Sequence, residues 1–86
     1  MSKSDWYVYM IRCADASLYT GIAKDLYRRI DEHNCNNSLG ARYTRGRRPV
    51  KLVYQEPCAN RSEASRREAE IKRFSRQQKE CLITRC

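Results

Sequence analysis

The sequence predicts an α+β fold in which a small three-stranded antiparallel sheet is flanked by helices. Two runs rich in aromatic and β-branched residues, joined by a short polar turn, predict a hairpin at the start of the chain. A third alternating run follows in the middle of the chain, and capping signals open the later helices. The predicted order, ββα(α)βαα, contains no βαβ unit, which excludes a dinucleotide-binding sheet. With 86 residues, the chain predicts one domain over residues 1–86, with frayed termini at 1–4 and 84–86.

Each predicted element has its own signal. Asp25 is a good N-cap for the first helix, whose apolar spacing continues to about Asn34. Asn60 with Glu63, and Ser75 with Gln78, resemble capping boxes that open the two later helices. Residues 42–46 are compatible with one short helical turn. The predicted strands are 6–12, 18–22 and 50–56, with Pro57 ending the third, and the predicted helices are 26–34, 61–74 and 76–83.

The chain is strongly basic. Its 18 Lys and Arg residues outnumber 10 Asp and Glu residues, giving a net charge of +8 that predicts a polyanionic partner. The densest basic stretch, ARYTRGRRPVK at 41–51, suits phosphates with an occasional base stacked on Tyr43. A solvated basic loop is the alternative interpretation. The predicted nucleic-acid contacts are Lys24, Arg42, Tyr43, Arg45, Arg47, Arg48, Lys51 and Lys72.

The cysteines and the hydropathy pattern indicate the compartment. Five cysteines are an odd number, and no two have C-x-x-C spacing, so we expect free thiols in a reducing cytosol and no structural metal. No apolar run of signal-peptide length begins the chain, and no stretch of about 20 apolar residues could span a membrane. We expect a cytoplasmic protein without a membrane partner.

The first predicted helix carries polar residues on its apolar side. At about 100° per residue, His33 shares a stripe with Leu26 and Ile30, and Arg29 lies close to that stripe. A histidine in such a place is more often a packing residue, but here an arginine one turn earlier accompanies it. The residues predicted on the opposite, solvated side are Arg28, Asp31 and Glu32.

The second long helix repeats this anomaly with a carboxylate. Its predicted inward stripe consists of Ala64, Glu68, Ile71 and Ser75, whereas Glu63 and Glu70 point elsewhere. A buried Glu68 needs a cation, and geometry alone favours an arginine partner over a bound metal. Mg²⁺ can nevertheless be held by a single carboxylate, so these inward polar groups also suit a phosphodiesterase site.

The motifs Tyr7-Val8-Tyr9 and Tyr19-Thr20-Gly21, followed by these helices, resemble the GIY-YIG nuclease family over nearly the whole chain. The resemblance is strongest to its small, single-domain, YhbQ-like bacterial branch. It implies Tyr9 and Tyr19 as motif tyrosines, with Tyr19 the general base toward an attacking water. The further roles that the resemblance implies are phosphate stabilisation by Arg29, a site position for His33, a Mg²⁺ or Mn²⁺ ligand in Glu68, and close approach of substrate or backbone at Gly21.

The resemblance also implies a substrate class. We expect an endonuclease-like hydrolase acting on DNA rather than RNA, with a role in DNA repair and low sequence selectivity, because no appended DNA-binding domain is present. The alternative is a catalytically weak nucleic-acid-binding module. We expect a monomer or weak dimer, which leaves room for a protein partner that targets it. Departures from the family pattern are Tyr7 in place of Gly, Ile22 in place of a frequent lysine, and no late Asn near Lys79.

A shared site for the two tyrosines constrains the hairpin. Opposed residues in a hairpin have numbers that add to a constant, and an even constant is needed to place Tyr9 and Tyr19 on one face. A two- or four-residue turn would separate them. We therefore predict an odd-length turn or a bulge within residues 13–18, with Tyr9 opposite Gly21 and Ile11 opposite Tyr19.

Overall fold

The structure, a computed structural model, describes residues 6–35 and 46–85 and confirms the predicted α+β class. Three antiparallel strands form one sheet with the order β2-β1-β3, so β1 is central and the other two are edge strands. The predicted helical turn at 42–46 lies outside the described residues except for Gly46, and so do residues 1–5 and Cys86. The elements are β1 (Trp6–Arg12), β2 (Leu18–Ala23), α1 (Leu26–Cys35), β3 (Lys51–Cys58), α2 (Arg61–Lys72) and α3 (Arg76–Arg85).

The hairpin register is the predicted one. Tyr9 lies opposite Gly21 and Ile11 lies opposite Tyr19, so the two tyrosines share a face of the sheet. A three-residue loop at 14–16 makes this possible, and a backbone hydrogen bond of 2.9 Å from Cys13 to Ser17 closes it.

The loop itself is a tight turn ending in a left-handed residue. The Ala16 amide donates to the Cys13 carbonyl at 2.9 Å, and Ala16 has a φ of 70°. An alanine in this conformation is strained relative to glycine. The Asp15 carboxylate, which accepts hydrogen bonds from the Ser17 amide and hydroxyl at 3.1 and 2.5 Å, stabilises the turn.

The sheet has two covered faces of different chemistry. The site face, which we define as the face carrying Tyr9 and Tyr19, packs against α1 around Ile11 and Leu26. The core face, which carries Val8 and Met10, packs against α2 and α3. The buried residues of the core face are Val8, Met10, Cys58, Ala64, Ile71 and Leu82.

The predicted helix starts are confirmed by their hydrogen bonds. Asp25 accepts from the Arg28 amide at 3.2 Å, and Asn60 accepts from the Glu63 amide at 2.8 Å. At α3, the Ser75 hydroxyl accepts from the Gln78 amide at 3.1 Å while the Gln78 side chain accepts from the Ser75 amide at 2.8 Å.

Two predicted helix ends differ from the structure. The helix that begins at Arg61 ends at Lys72 instead of Phe74, which leaves Ser75 exposed as the first cap of α3 and outside the predicted inward stripe. The last helix continues through Arg85, beyond the predicted end near Ile83. The helical backbone includes residues 84 and 85, and the predicted fraying of this terminus stays a prediction.

The prediction that Pro57 ends the third strand is wrong. The strand begins at Lys51 and continues to Cys58, with Pro57 opposite Tyr7. Among the described residues, β3 pairs with β1 alone, so no described strand on its other side needs the missing amide hydrogen. An edge strand accepts proline at such a position.

The described residues also include four cysteines and three helices whose state bears on redox chemistry and on membranes. The four cysteines of the described residues, two buried and two exposed, are all unbridged. Within residues 6–35 and 46–85, every helix is too short or too polar to cross a bilayer.

Candidate active site

A buried hydrogen bond between Tyr9 and His33 joins the central strand to α1. The Tyr9 hydroxyl lies 2.8 Å from Nε2 of His33, and both side chains are almost completely buried. The space above Gly21 makes this possible, since an ideal Cβ at position 21 would lie only 2.5 Å from the Tyr9 oxygen. The expected close approach at Gly21 is thus that of the Tyr9 ring.

Burial sets the protonation states of this pair. It raises the pKa of Tyr9 to about 12, and a hydrogen bond from Arg29 opposes that rise. Burial lowers the pKa of His33 to about 4, and the positive charge of Arg29 lowers it further. At neutral pH, therefore, the phenol keeps its proton and the imidazole is uncharged. Arginine can only donate, so with Arg29 donating to the phenol oxygen, the Tyr9 O–H is left to donate to Nε2.

Tyr19 contacts the same imidazole from the edge strand β2. Its ring and that of His33 lie 5.4 Å apart between centroids in an edge-to-face arrangement. Tyr19 is partly exposed, in contrast to the buried Tyr9. Of the two phenols, Tyr19 is therefore the one that a water molecule or a substrate can reach.

Arg29 is held beside these rings by an acidic neighbour. Its guanidinium donates to Glu32 at 2.8 Å, and Glu32 also lies 3.4 Å from Arg28. Burial would lower the pKa of Arg29, but its hydrogen bonds to Glu32 and Tyr9 outweigh burial and raise it. The prediction that Glu32 lies on the solvated side is wrong, because its side chain is mostly covered and pairs with Arg29.

Glu68 comes from α2 and is partly buried, as predicted. Its side chain is 24% exposed, and after burial and Tyr19 its negative charge also contributes to the raised pKa of Tyr9. The cation that accompanies it is Lys72, at 3.3 Å one turn along the helix, so the expectation of an arginine partner is wrong. A lysine ammonium can leave when a stronger cation arrives, because this pair is only partly buried.

The donor set fits a weakly held hard cation. Among residues 6–35 and 46–85, no three His, Cys, Asp or Glu side chains cluster in a way that would cage a metal ion. Mg²⁺ does not require such a cage, because it usually keeps several waters and takes one or two carboxylates together with substrate phosphates. The partly exposed carboxylate of Glu68 meets that requirement.

The predicted nucleic-acid contacts that the structure describes occupy several places. Lys24 lies 5.7 Å from the centroid of the Trp6 ring, Arg47 pairs with Asp15 at 3.0 Å, and Lys51 is exposed at the start of β3. Gly21 lies against the Tyr9 ring, and Lys72 pairs with Glu68. The predicted contacts at Arg42, Tyr43 and Arg45 lie outside the described residues.

Two residues support the end of α1 at His33. The sequence did not indicate this role for Asn34, and it predicted a nucleic-acid contact for Arg48. The Arg48 Nε donates to the His33 carbonyl at 2.5 Å, although Arg48 was predicted to contact nucleic acid. The Asn34 side chain bonds both to the Val50 carbonyl at 3.1 Å and to the Val50 amide at 2.7 Å. No local sequence pattern predicts contacts between residues about 15 positions apart. The one signal available was the position of Asn34 next to the inward-facing His33.

Comparison with known proteins identifies the family. A family model for the GIY-YIG catalytic domain matches residues 5–80. The chain belongs to the GIY-YIG family. The UPF0213 protein SSP2268 of Staphylococcus saprophyticus is 58% identical over 78 residues, which are 91% of this chain and 93% of that protein. The UPF0213 protein DP2720 of Desulfotalea psychrophila is 56% identical over 78 residues, 91% of this chain and 70% of that protein.

Two solved structures share the GIY-YIG fold. The solution structure of the UPF0213 protein BH0048 from Bacillus halodurans has 44% sequence identity and a TM-score of 0.58, covering 92% of this chain and 82% of that one. The structure of EF2693 from E. faecalis has 38% identity and a TM-score of 0.62, covering 96% and 86%. The predicted family and its small, single-domain, YhbQ-like branch are therefore confirmed, and GIY-YIG membership implies a nuclease family.

Proposed function

We propose that this protein hydrolyses phosphodiester bonds of nucleic acids in a metal-dependent, endonuclease-like reaction with little sequence selectivity. The observation that carries the proposal is the buried hydrogen bond of 2.8 Å between Tyr9 and His33, with Arg29 beside it. Membership of a nuclease family and a net charge of +8 support the same substrate class. We favour DNA over RNA, and a role in DNA repair in the cytoplasm.

Substrate binding in this proposal begins with charge. Arg29 binds a phosphate oxygen of the scissile group, since its guanidinium keeps its charge and Glu32 holds it in place. Tyr9 and His33 form a rigid wall behind that phosphate because both are buried and hydrogen-bonded to each other. Basic residues on the surface contact neighbouring phosphates without reading the bases.

Glu68 is the residue that would hold a cation. Its carboxylate would hold Mg²⁺ or Mn²⁺ in place of its present ion pair with Lys72. A bound divalent cation supplies Lewis-acid stabilisation of the negative charge that develops on the phosphate.

The chemical step then needs a positioned water. Tyr19, the accessible phenol, accepts a hydrogen bond from this water. As the water oxygen bonds to phosphorus, the water's proton moves to the Tyr19 oxygen and the phenol's own proton passes to solvent. The bond from phosphorus to the leaving oxygen breaks on the opposite side, and solvent protonates that oxygen. His33 stays neutral at pH 7, so it packs against Tyr19 without adding a second positive charge to that of Arg29. Arg29 offsets the charge that develops on the phosphate oxygens.

A second candidate function is a nucleic-acid-binding module that does not cleave. The observation favouring it is the ion pair of Glu68 with Lys72, because a carboxylate that keeps its lysine does not bind a metal. Both candidates predict salt-dependent binding to nucleic acid, so cleavage is the property that separates them.

Cleavage of labelled single-stranded, duplex and branched nucleic acids with Mg²⁺ or Mn²⁺ tests the proposal. We expect wild type to cleave, and Glu68→Gln to lose cleavage while it keeps its fold and its metal-free binding. Glu70→Gln is the matched control, because Glu70 lies on the same helix, is mostly exposed and pairs with Arg67. It should cleave like wild type.

The outcomes separate the two candidates. Cleavage by Glu68→Gln at the wild-type rate would contradict the role of Glu68. Binding by wild type without cleavage in either metal would leave the binding module as the function. Absence of binding at low salt would remove both.

A further inference from the structure

A cavity next to the active site has no role in the proposed reaction. It has a volume of about 450 Å³ and lies between the start of α1 and the site face. Tyr7, which contributes to one wall, precedes Tyr9 by two residues on the same face of β1, about 7 Å along the strand. The residues lining the cavity are Tyr7, Lys24, Asp25, Leu26, Tyr27 and Gln55.

Tyr27 is the feature of this cavity that the fold does not explain. Its side chain is 79% exposed, and it is the one large hydrophobic residue of the described ranges in that state. The neighbouring Leu26 is buried and anchors the helix, so Tyr27 contributes little to stability. A ring displayed at the wall of a cavity offers a flat surface to a planar ligand.

Charge indicates which planar ligand fits. Lys24 lines this cavity beside Asp25, whose carboxylate is engaged as the cap of α1, and the net charge of +8 over the whole chain favours a ligand that bears phosphate. The Gln55 amide, on the strand position opposite Tyr9, offers both a donor and an acceptor to the edge of a base. A base inside a duplex is already stacked on both faces, whereas an unpaired base has a free face for Tyr27.

We propose that this cavity binds an unpaired nucleobase of the substrate strand, stacked on Tyr27, with Lys24 near the adjoining phosphate. The proposal rests on the proposed function, because it assumes a nucleic-acid substrate. It adds a substrate preference: a strand with an unpaired base next to the scissile phosphate binds better than a continuous duplex.

Fluorescence anisotropy with a labelled single-stranded oligonucleotide and a blunt duplex, in EDTA so that no cleavage occurs, tests this site. We expect Tyr27→Ala to weaken binding of the single strand by about 5- to 100-fold and to leave binding of the duplex unchanged. Tyr27→Phe is the matched control, because it keeps the ring and should bind the single strand like wild type.

The test distinguishes failure of the stacking site from failure of the proposed function. Unchanged binding of the single strand by Tyr27→Ala, or an equal loss for strand and duplex, overturns the stacking site and leaves the proposed function standing. A wild-type protein that binds neither ligand overturns both.

A second, independent inference concerns the end of α1. The last carbonyls of a helix have no partner within it, and at this end the Arg48 side chain supplies one to His33 at 2.5 Å. The Asn34 amide pairs with both backbone groups of Val50, at 3.1 and 2.7 Å, and so ties the last turn of α1 to the start of β3. We infer that Asn34 and Arg48 are positioning residues that fix the His33 ring against Tyr9.

His33 is the only histidine of the chain, so its imidazole can be followed alone by NMR. In wild type, we expect it to titrate at about 4. Asn34→Ala should move this titration up toward the ordinary histidine value of about 6.5, since a loosened ring gains contact with water. Asn60→Ala is the matched control, because it removes an asparagine cap from α2 on the other side of the sheet.

If Asn34 only stabilises the fold, Asn34→Ala and Asn60→Ala should lose similar stability and leave the His33 titration unchanged. That result would overturn the inference. Arg48→Lys, which removes the Nε donor but keeps the charge, provides a second variant should Asn34→Ala fail to fold. The same upward movement is expected for it, and a wild-type titration in Arg48→Lys would count against the inference.

Discussion

The two faces of the sheet are equally buried but chemically different. Val8 and Tyr9 are neighbours on β1, are 0% and 1% exposed, and point to opposite faces. The core face covers Val8 with aliphatic residues of α2 and α3, whereas the site face covers Tyr9 with the imidazole of His33. The core face therefore stabilises the fold by removing apolar area from water. The site face keeps a phenol and an imidazole away from water, and that burial shifts the pKa of both.

The difference between the two faces shows that stability and function are assigned to opposite sides of one sheet in this small domain. Burying a polar group without a partner is costly, but Tyr9 and His33 satisfy each other. The site face therefore contains buried polar groups that are fixed in protonation and orientation. We expect substitutions on the core face to act on stability alone and substitutions on the site face to act on both.

The largest expected effect comes from the core face. Ile71 is completely buried against the sheet, so Ile71→Ala should lower the free energy of unfolding by about 2 to 5 kcal/mol. Urea denaturation measures this loss. The folded fraction of the variant should keep the wild-type titration of His33, and a changed titration would show that the two faces are coupled.

Acid should destabilise the protein through the site face. The pKa of His33 is about 4 in the folded state and about 6.5 in an unfolded chain, so the unfolded state binds more protons between these values. Stability is unaffected by this group above pH 6.5, falls as the pH drops toward 4, and has then lost about 3 kcal/mol.

Urea denaturation of wild type and His33→Gln across this pH range isolates the effect, because the carboxylates titrate alike in both. The two stability curves should converge as the pH falls from 6.5 to 4. Parallel curves would mean that protonation of His33 does not destabilise the folded state, and would contradict the lowered pKa of His33 on the site face.

A smaller effect is expected at the strand position that makes room for Tyr9. Gly21→Ala would place a Cβ 2.5 Å from the Tyr9 oxygen, and the buried ring has little space to move. We expect a loss of about 1 to 3 kcal/mol together with an upward movement of the His33 titration. Thermal unfolding and NMR measure the two quantities. A variant that loses stability with the His33 titration unchanged would show that Gly21 serves packing alone.

The local parts of the fold were predictable from the sequence. The caps at Asp25, Asn60 and Ser75 involve residues three apart, so a short pattern contains all the information. The hairpin register followed from requiring that Tyr9 and Tyr19 share a face, and it was confirmed. His33 and Glu68 were recognised because helical spacing places them on inward stripes.

The features that the sequence did not predict correctly depend on residues that are distant in the chain or on a choice among several neighbours. The continuation of β3 through Pro57 requires knowing that β3 is an edge strand. The partners of Glu32 and Glu68 depend on which of several nearby cations the side chains reach, and spacing allows more than one. The contact of Asn34 with Val50 joins residues 16 positions apart, which no local pattern reveals.

The central claim is that the polar contact on the site face serves phosphodiester cleavage. Tyr9→Phe tests it most directly, with Tyr54→Phe as the matched control, because each variant removes one hydroxyl from a tyrosine of the sheet. Tyr54 lies on the core face, where its hydroxyl donates to Glu56 at 2.6 Å. With Mg²⁺ and at matched folded fraction, we expect cleavage by Tyr9→Phe to be about 100-fold slower than wild type, because His33 and Arg29 lose the hydroxyl that holds them in position. Tyr54→Phe should cleave at the wild-type rate. Equal rates for the two variants would contradict the claim.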